Sequence, residues 1–111
     1  MSEGEHLENS ELERRLKAIL VESALETPEA KGLWCDWCIT KEKEYGTARG
    51  SQILVMLAKS KLLIEAARER GPAKERLVAR AKEELLDARE SAYQEGDDKL
   101  LAEIEENLNK L

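Results

Sequence analysis

Apolar residues recur every three or four positions along most of the chain, which is the spacing that gathers them on one face of an α-helix. Three such stripes stand out: Leu12, Leu16, Ile19, Leu20 and Ala24; Leu77, Val78, Ala81, Leu85, Ala88 and Ala92; and Leu101, Ile104, Leu108 and Leu111. No segment shows the strict alternation that is typical of a half-buried strand. The pattern therefore predicts an all-α fold.

Residues that start and stop helices separate the stripes in the first half of the chain. Ser10 followed by Glu13 forms a capping-box pattern and predicts the start of the first helix. Thr27 can cap a second helix, and Pro28 suits its first position because no N–H is needed there. We expect this second helix to run from Pro28 to about Tyr45.

Residues 46–51 contain two glycines, each of which weakens a helix by roughly 1 kcal/mol. A loop with Ser51 as the next cap and a bend within one long helix both fit, and the propensity cost favours a break or kink. The third helix then runs from about Ser51 to Arg70, with Gly71 as its terminator. Because residues 53–67 are apolar on most sides, this helix is expected to be central.

Similar signals divide the second half of the chain. Pro72 is expected at the first position of a fourth helix, Gly96 just after its end, and Asp97 at the cap of a last helix. The prediction is a compact bundle of four to five helices with short connections, forming one domain over residues 1–111. Residues 1–8 are expected to fray.

Charge and hydropathy narrow the possible partners. A net charge of −6 argues against a general nucleic-acid binder. No apolar run approaches the length of a membrane span, and the acidic, polar residues 1–6 do not resemble a signal peptide. We therefore expect a soluble, cytoplasmic protein without membrane partners, present as a monomer or a homodimer.

The chain as a whole resembles computationally designed helical bundles. Residues 73–86 (AKERLVARAKEELL) fill exposed faces with Glu, Lys and Arg, the helix boundaries carry clear signals, and the chain has no Phe. The resemblance covers about residues 7–31 and 62–111. It implies a designed or engineered protein, and in such proteins local rules are most often broken where a function was introduced.

Residues 33–52 depart from that style, since both cysteines and three of the four aromatic residues lie within 34–45. Helical spacing places one stripe along this segment, with further side chains beside it. The stripe consists of Trp34, Cys38, Lys41 and Tyr45, flanked by Cys35, Ile39 and Glu42, with Trp37 at its edge and Asp36 pointing away. One interpretation is that Trp34, Cys38, Ile39 and Tyr45 belong to the core of a purely structural designed bundle that binds no ligand.

The leading interpretation is a small-molecule pocket lined by helix two, because such sites combine aromatic walls with a few convergent polar groups. Gly46 and Gly50 would leave room for a flat ligand beside Tyr45 and Arg49. The predicted ligand-binding residues are Trp34, Trp37, Cys38, Tyr45, Gly46, Arg49 and Gly50.

Two catalytic variants of this pocket are open. A carboxylate in an apolar setting can act as a general base, for which Glu42 and Asp36 are the candidates. A buried lysine can form a Schiff base, for which Lys41 is the first candidate and Lys59 the second, with a tyrosine (Tyr45 or Tyr93) as proton shuttle.

Thiol chemistry is a further alternative. Cys35 and Cys38 form a C-x-x-C pattern, which could serve as a redox dithiol or bind a metal between two copies of the chain. Within one chain a zinc site lacks ligands, because His6, the only histidine, lies in the terminal segment and is expected to be exposed to solvent. We therefore predict no metal site in the monomer, and the sequence identifies no cofactor.

Overall fold

The computed structural model of the protein describes the backbone of residues 2–111 and the side chains of residues 10–111. Five helices and no strands occupy the described backbone, which confirms the all-α bundle. The helices are α1 (Ser2–Ser23), α2 (Pro28–Tyr45), α3 (Arg49–Arg68), α4 (Lys74–Glu95) and α5 (Asp98–Asn109).

The predicted start of the first helix at Ser10 is wrong, because α1 begins at Ser2 and Ser10 lies inside it. A capping-box sequence offers a local alternative to helix but does not forbid one. The residues before Ser10 include no proline, and Glu3 and Glu5 carry the charge that suits a helix N-terminus. The expected exposure of His6 concerns a side chain outside the described residues, and the expected fraying of residues 1–8 stays a prediction.

The α1–α2 connection and the start of α2 follow the sequence signals closely. The Thr27 hydroxyl accepts a hydrogen bond of 3.1 Å from the backbone N–H of Ala30, and Pro28 occupies the first helical position. α2 then continues to Tyr45, as predicted. α1 itself closes at Ala24, which adopts a left-handed backbone (φ 53°) although it is not a glycine.

A break separates α2 from α3, as the glycines predicted. Gly46 adopts a φ of 97°, and its N–H donates to the carbonyl of Glu42 at 2.8 Å. The expectation that Ser51 caps α3 is wrong, because α3 begins two positions earlier at Arg49 after an extended Ala48. Gly50 is accommodated within the first turn of α3.

The α3–α4 connection corrects two predicted roles. α3 ends at Arg68, and Arg70 rather than Gly71 takes the left-handed backbone (φ 57°). Gly71 instead lies against α1, where a Cβ atom would overlap the carbonyl oxygen of Val21. Pro72 lies in the following turn instead of opening α4, which begins at Lys74. Packing against α1 therefore determines the conformation of the α3–α4 connection.

The α4–α5 connection matches the prediction. Gly96 closes α4 in the left-handed conformation (φ 70°), which glycine adopts without steric cost. The Asp97 carboxylate then accepts a hydrogen bond of 3.1 Å from the N–H of Leu100 and caps α5.

α3 is the central helix, as its apolar sequence predicted, and packs against α1, α2 and α4. α5 packs against α4, and its Glu103 pairs with Lys61 of α3 at 2.9 Å. The molecule measures 37 × 36 × 20 Å, so its shortest dimension is only about two helix diameters. The most deeply buried large side chains are Leu16, Leu20, Ile53, Leu63, Leu77, Leu85 and Ile104.

Candidate functional site

The buried face of α2 differs from the stripe that the sequence pattern suggested. Trp37, expected at its edge, is the most deeply buried large side chain of the helix, with 3% of its surface exposed. Tyr45 and Ile39, expected on or beside the stripe, are exposed. The register differs because the positions of α1 and α3 determine which sector of α2 is covered.

The two indoles and Lys41 form one cluster on this face. The rings of Trp34 and Trp37 stack with centroids 5.6 Å apart and an interplanar angle of 26°. The Lys41 ammonium lies 5.5 Å from the centre of the Trp37 ring and 3.2 Å from a carboxylate oxygen of Glu44. The Lys41 ammonium therefore interacts with both the Trp37 ring and the Glu44 carboxylate.

Trp37 also carries a buried polar atom without a partner. Its indole nitrogen Nε1 is shielded from solvent and makes no hydrogen bond within the described side chains. A buried donor left unpaired costs roughly 1–3 kcal/mol. Trp37 therefore stabilises the fold through its ring, at some cost from its N–H group.

The two cysteines occupy different environments. Cys35 is exposed and Cys38 is half-buried, and neither takes part in a disulfide. Burial raises the pKa of the Cys38 thiol to about 11, with the Lys59 ammonium opposing this effect and the carboxylate of Glu84 adding to it. A thiol that resists ionisation is a poor nucleophile and a poor metal ligand at neutral pH.

A cleft of about 230 Å³ opens where the end of α2, the turn at Gly46 and the first half of α3 meet. Its lining residues are Glu42, Gly46, Thr47, Gln52, Val55, Met56 and Lys59. Three of them, Glu42, Gly46 and Lys59, are sequence-predicted candidates. The cleft therefore lies beside the break between α2 and α3.

Lys59 is the most distinctive group in this cleft. Its side chain is half-buried. No carboxylate oxygen of residues 10–111 lies within 4.0 Å of the Lys59 ammonium, the limit for an ion pair. Glu42 lines the same cleft but is exposed. The nearby Glu84 is instead paired with Arg80, at 3.7 Å. The cleft therefore presents a cation and an anion that do not neutralise each other directly.

Sequence reasoning missed Thr47, Gln52, Val55 and Met56 as lining residues. The signal was available in part, since Gln52, Val55, Met56 and Lys59 follow the i, i+3, i+4, i+7 spacing of one helical face. Which helix this face of α3 approaches depends on the packing of α2, which the spacing does not contain.

Other predicted site residues do not reach the cleft. Asp36 is exposed, as are Tyr45 and Gly50. Arg49 extends towards α4, 3.9 Å from a carboxylate oxygen of Glu95. Tyr93, the alternative proton shuttle, lies exposed on α4 and does not line the cleft.

The described residues also bear on metals and membranes. Among them, no group of three or more His, Cys, Asp or Glu side chains is arranged to hold a metal ion. None of the helices there combines the length and apolarity that crossing a bilayer requires. Comparison with models of protein families, with curated proteins and with solved structures gave no significant match.

Proposed function

We propose that this protein binds a small zwitterionic molecule with an apolar body in the α2–α3 cleft. The observation that carries the proposal is the half-buried Lys59 ammonium, which lacks an ion-pair partner among the described residues and shares its cleft with Glu42. A charge held partly out of water gains most from an oppositely charged group placed beside it.

The lining assigns a partner to each part of such a ligand. A ligand carboxylate would pair with Lys59, and a ligand ammonium with Glu42, the carboxylate on the α2 side of the cleft. Val55 and Met56 provide the apolar contact, and the flexible thioether of methionine adapts to different shapes. A volume of about 230 Å³ is below the range for drug-sized ligands, so we expect a compact molecule such as a free apolar α-amino acid.

Leucine and two analogues that each lack one charge form the test set. 4-Methylpentanoate keeps the carboxylate and 3-methylbutylamine keeps the ammonium. Binding is followed by backbone amide NMR. Leucine is expected to shift the signals of Thr47, Gln52 and Lys59, and either analogue is expected to bind more weakly than leucine. Binding as tight for one analogue as for leucine would contradict the zwitterion assignment.

Two lysine variants test whether leucine binds in the cleft or elsewhere on the surface. Lys59→Met keeps most of the length of the side chain without its charge. It is expected to weaken leucine binding by about tenfold or more, the value of one charge-assisted hydrogen bond. Lys31→Met, which removes an exposed lysine at the other end of α2, should leave binding unchanged. If no probe perturbs the cleft signals at millimolar concentration, the proposed function is wrong.

A further inference from the structure

One face of α4 carries large apolar side chains in contact with solvent. Tyr93 is 77% exposed and Leu86, seven positions earlier, is 37% exposed. Lys82 and Arg89 are also exposed. Together the four residues Lys82, Leu86, Arg89 and Tyr93 follow one another at intervals of four, three and four positions. This is the spacing of a seam along which two helices pack, and we call these four residues the α4 seam.

The α4 seam is self-complementary when two copies of α4 run antiparallel about a two-fold axis between residues 89 and 90. Each position i then faces position 179 − i of the other copy. Leu86 faces Tyr93, which pairs two apolar groups, and Arg89 faces Glu90, which pairs opposite charges. No two like charges face each other among these positions.

From this complementarity we infer that the α4 seam is the interface of a homodimer, with a second copy of the chain as its occupant. In a two-fold interface the same patch serves both subunits, and each attractive pair occurs twice. The surface beside the seam suits this arrangement. Leu86 and Tyr93 border a shallow depression of about 970 Å³ that also contains Met56 and Leu101, which can receive a tyrosine ring.

Dimer formation requires little rearrangement within each subunit. Arg89 lies 3.6 Å from Glu105 on α5, and both side chains are about half exposed to solvent (46% and 48%). Exposed ion pairs contribute about 0–1 kcal/mol, so Arg89 can turn towards Glu90 of the partner subunit at small cost. One helix pair forms an interface at the small end of the known range, so we expect a weak, concentration-dependent dimer.

Sedimentation velocity from micromolar to millimolar protein concentration tests the inference. The native chain should shift from monomer to dimer across this range. Leu86→Glu should weaken dimerisation by about tenfold or more, because it places a charge in the apolar centre of the seam. Leu54→Glu is the matched control, since Leu54 is equally exposed (36%) but lies on α3, and it should leave the dimer intact.

Charge reversal distinguishes a specific two-fold seam from general stickiness. Arg89→Glu alone places a carboxylate opposite Glu90 of the partner subunit and should weaken the dimer. The double variant Arg89→Glu, Glu90→Arg restores opposite charges and should recover the native dissociation constant within a few-fold. A native chain that stays monomeric at millimolar concentration, or a double variant as weak as the single one, would overturn the inference. Both readouts are independent of ligand binding in the α2–α3 cleft.

Discussion

Lys41 and Trp37 lie one turn apart on α2, and the Lys41 ammonium lies 5.5 Å from the centre of the Trp37 ring. The ring itself is almost fully buried in the core, where the indole of Trp34 stacks with it. A cation over the face of an indole contributes about 0.5–1 kcal/mol at exposed sites and more when desolvated. The two indoles of α2 therefore pack as part of the core, and the cleft that holds Glu42 and Lys59 lies beside the end of the same helix.

Substitution of Trp37 should show how much its buried ring stabilises the fold. Trp37→Ala is expected to lower the free energy of unfolding by about 3–5 kcal/mol, the usual cost of removing a large buried aromatic side chain. Trp37→Phe should cost at least about 1 kcal/mol less than Trp37→Ala, because a six-membered aromatic ring fills part of the space that alanine leaves empty. Urea unfolding followed by circular dichroism measures both. Equal losses for the two variants would contradict a stabilising contribution of the buried aromatic ring at this position.

Gly71 and Gly32 should respond in opposite directions to alanine. A Cβ atom at Gly71 overlaps the backbone of Val21, so Gly71→Ala must move α1 away from the α3–α4 turn and should cost about 1–3 kcal/mol. Gly32 lies within α2 with nothing near the added atom, so Gly32→Ala should stabilise by about 0.5–1 kcal/mol. Thermal unfolding of the two variants makes the comparison, and a stabilising Gly71→Ala would show that this close approach is absent.

Ser10 and Thr27 provide a similar contrast between a helix interior and a helix start. Thr27→Ala removes the bond to the N–H of Ala30 and should cost about 1 kcal/mol. Ser10→Ala replaces an exposed residue inside α1 by a better helix former and should stabilise by a few tenths of a kcal/mol. Equilibrium unfolding measures both. A loss of about 1 kcal/mol for Ser10→Ala would mean that α1 starts at Ser10 after all.

The two thiols should react at very different rates. Cys35 is exposed, whereas Cys38 is half-buried with its pKa raised to about 11, so alkylation near neutral pH should label Cys35 first. Mass spectrometry of partially alkylated Cys35→Ser and Cys38→Ser variants resolves the two rates. Equal rates in the folded protein would contradict the environment described for Cys38.

The raised pKa of Cys38 also predicts a pH dependence of stability. The thiol of the unfolded chain ionises near 9, whereas burial keeps the folded thiol protonated until about 11. The unfolded state therefore loses its proton first, and stability from this group falls as the pH rises from about 9 to 11. Lysines and tyrosines titrate in the same range, so the measurement is the difference between the native chain and Cys38→Ala. That difference should be constant below about pH 9 and change only above it.

The candidate site was predictable only in part. The sequence directed attention to α2 and to the glycine at 46, and it included Glu42 and Lys59 among the candidates. It could not place Lys59 ahead of Lys41, because the two lysines differ in what packs around them, and that depends on helices distant in sequence. The designed origin, the general-base role of Glu42 and the Schiff-base role of a lysine stay predictions.

The class of the fold follows from the sequence, as do the helix boundaries at Thr27–Pro28, Tyr45–Gly46 and Gly96–Asp97. Thr27, Pro28, Gly96 and Asp97 act through bonds and backbone angles within a few residues, so local rules suffice for them. Only the tertiary structure decided which sector of α2 is buried, where the α2–α3 cleft opens, and why Gly71 must be a glycine. These features depend on how helices approach one another. Helical periodicity gives the faces of each helix but not the partner that each face meets.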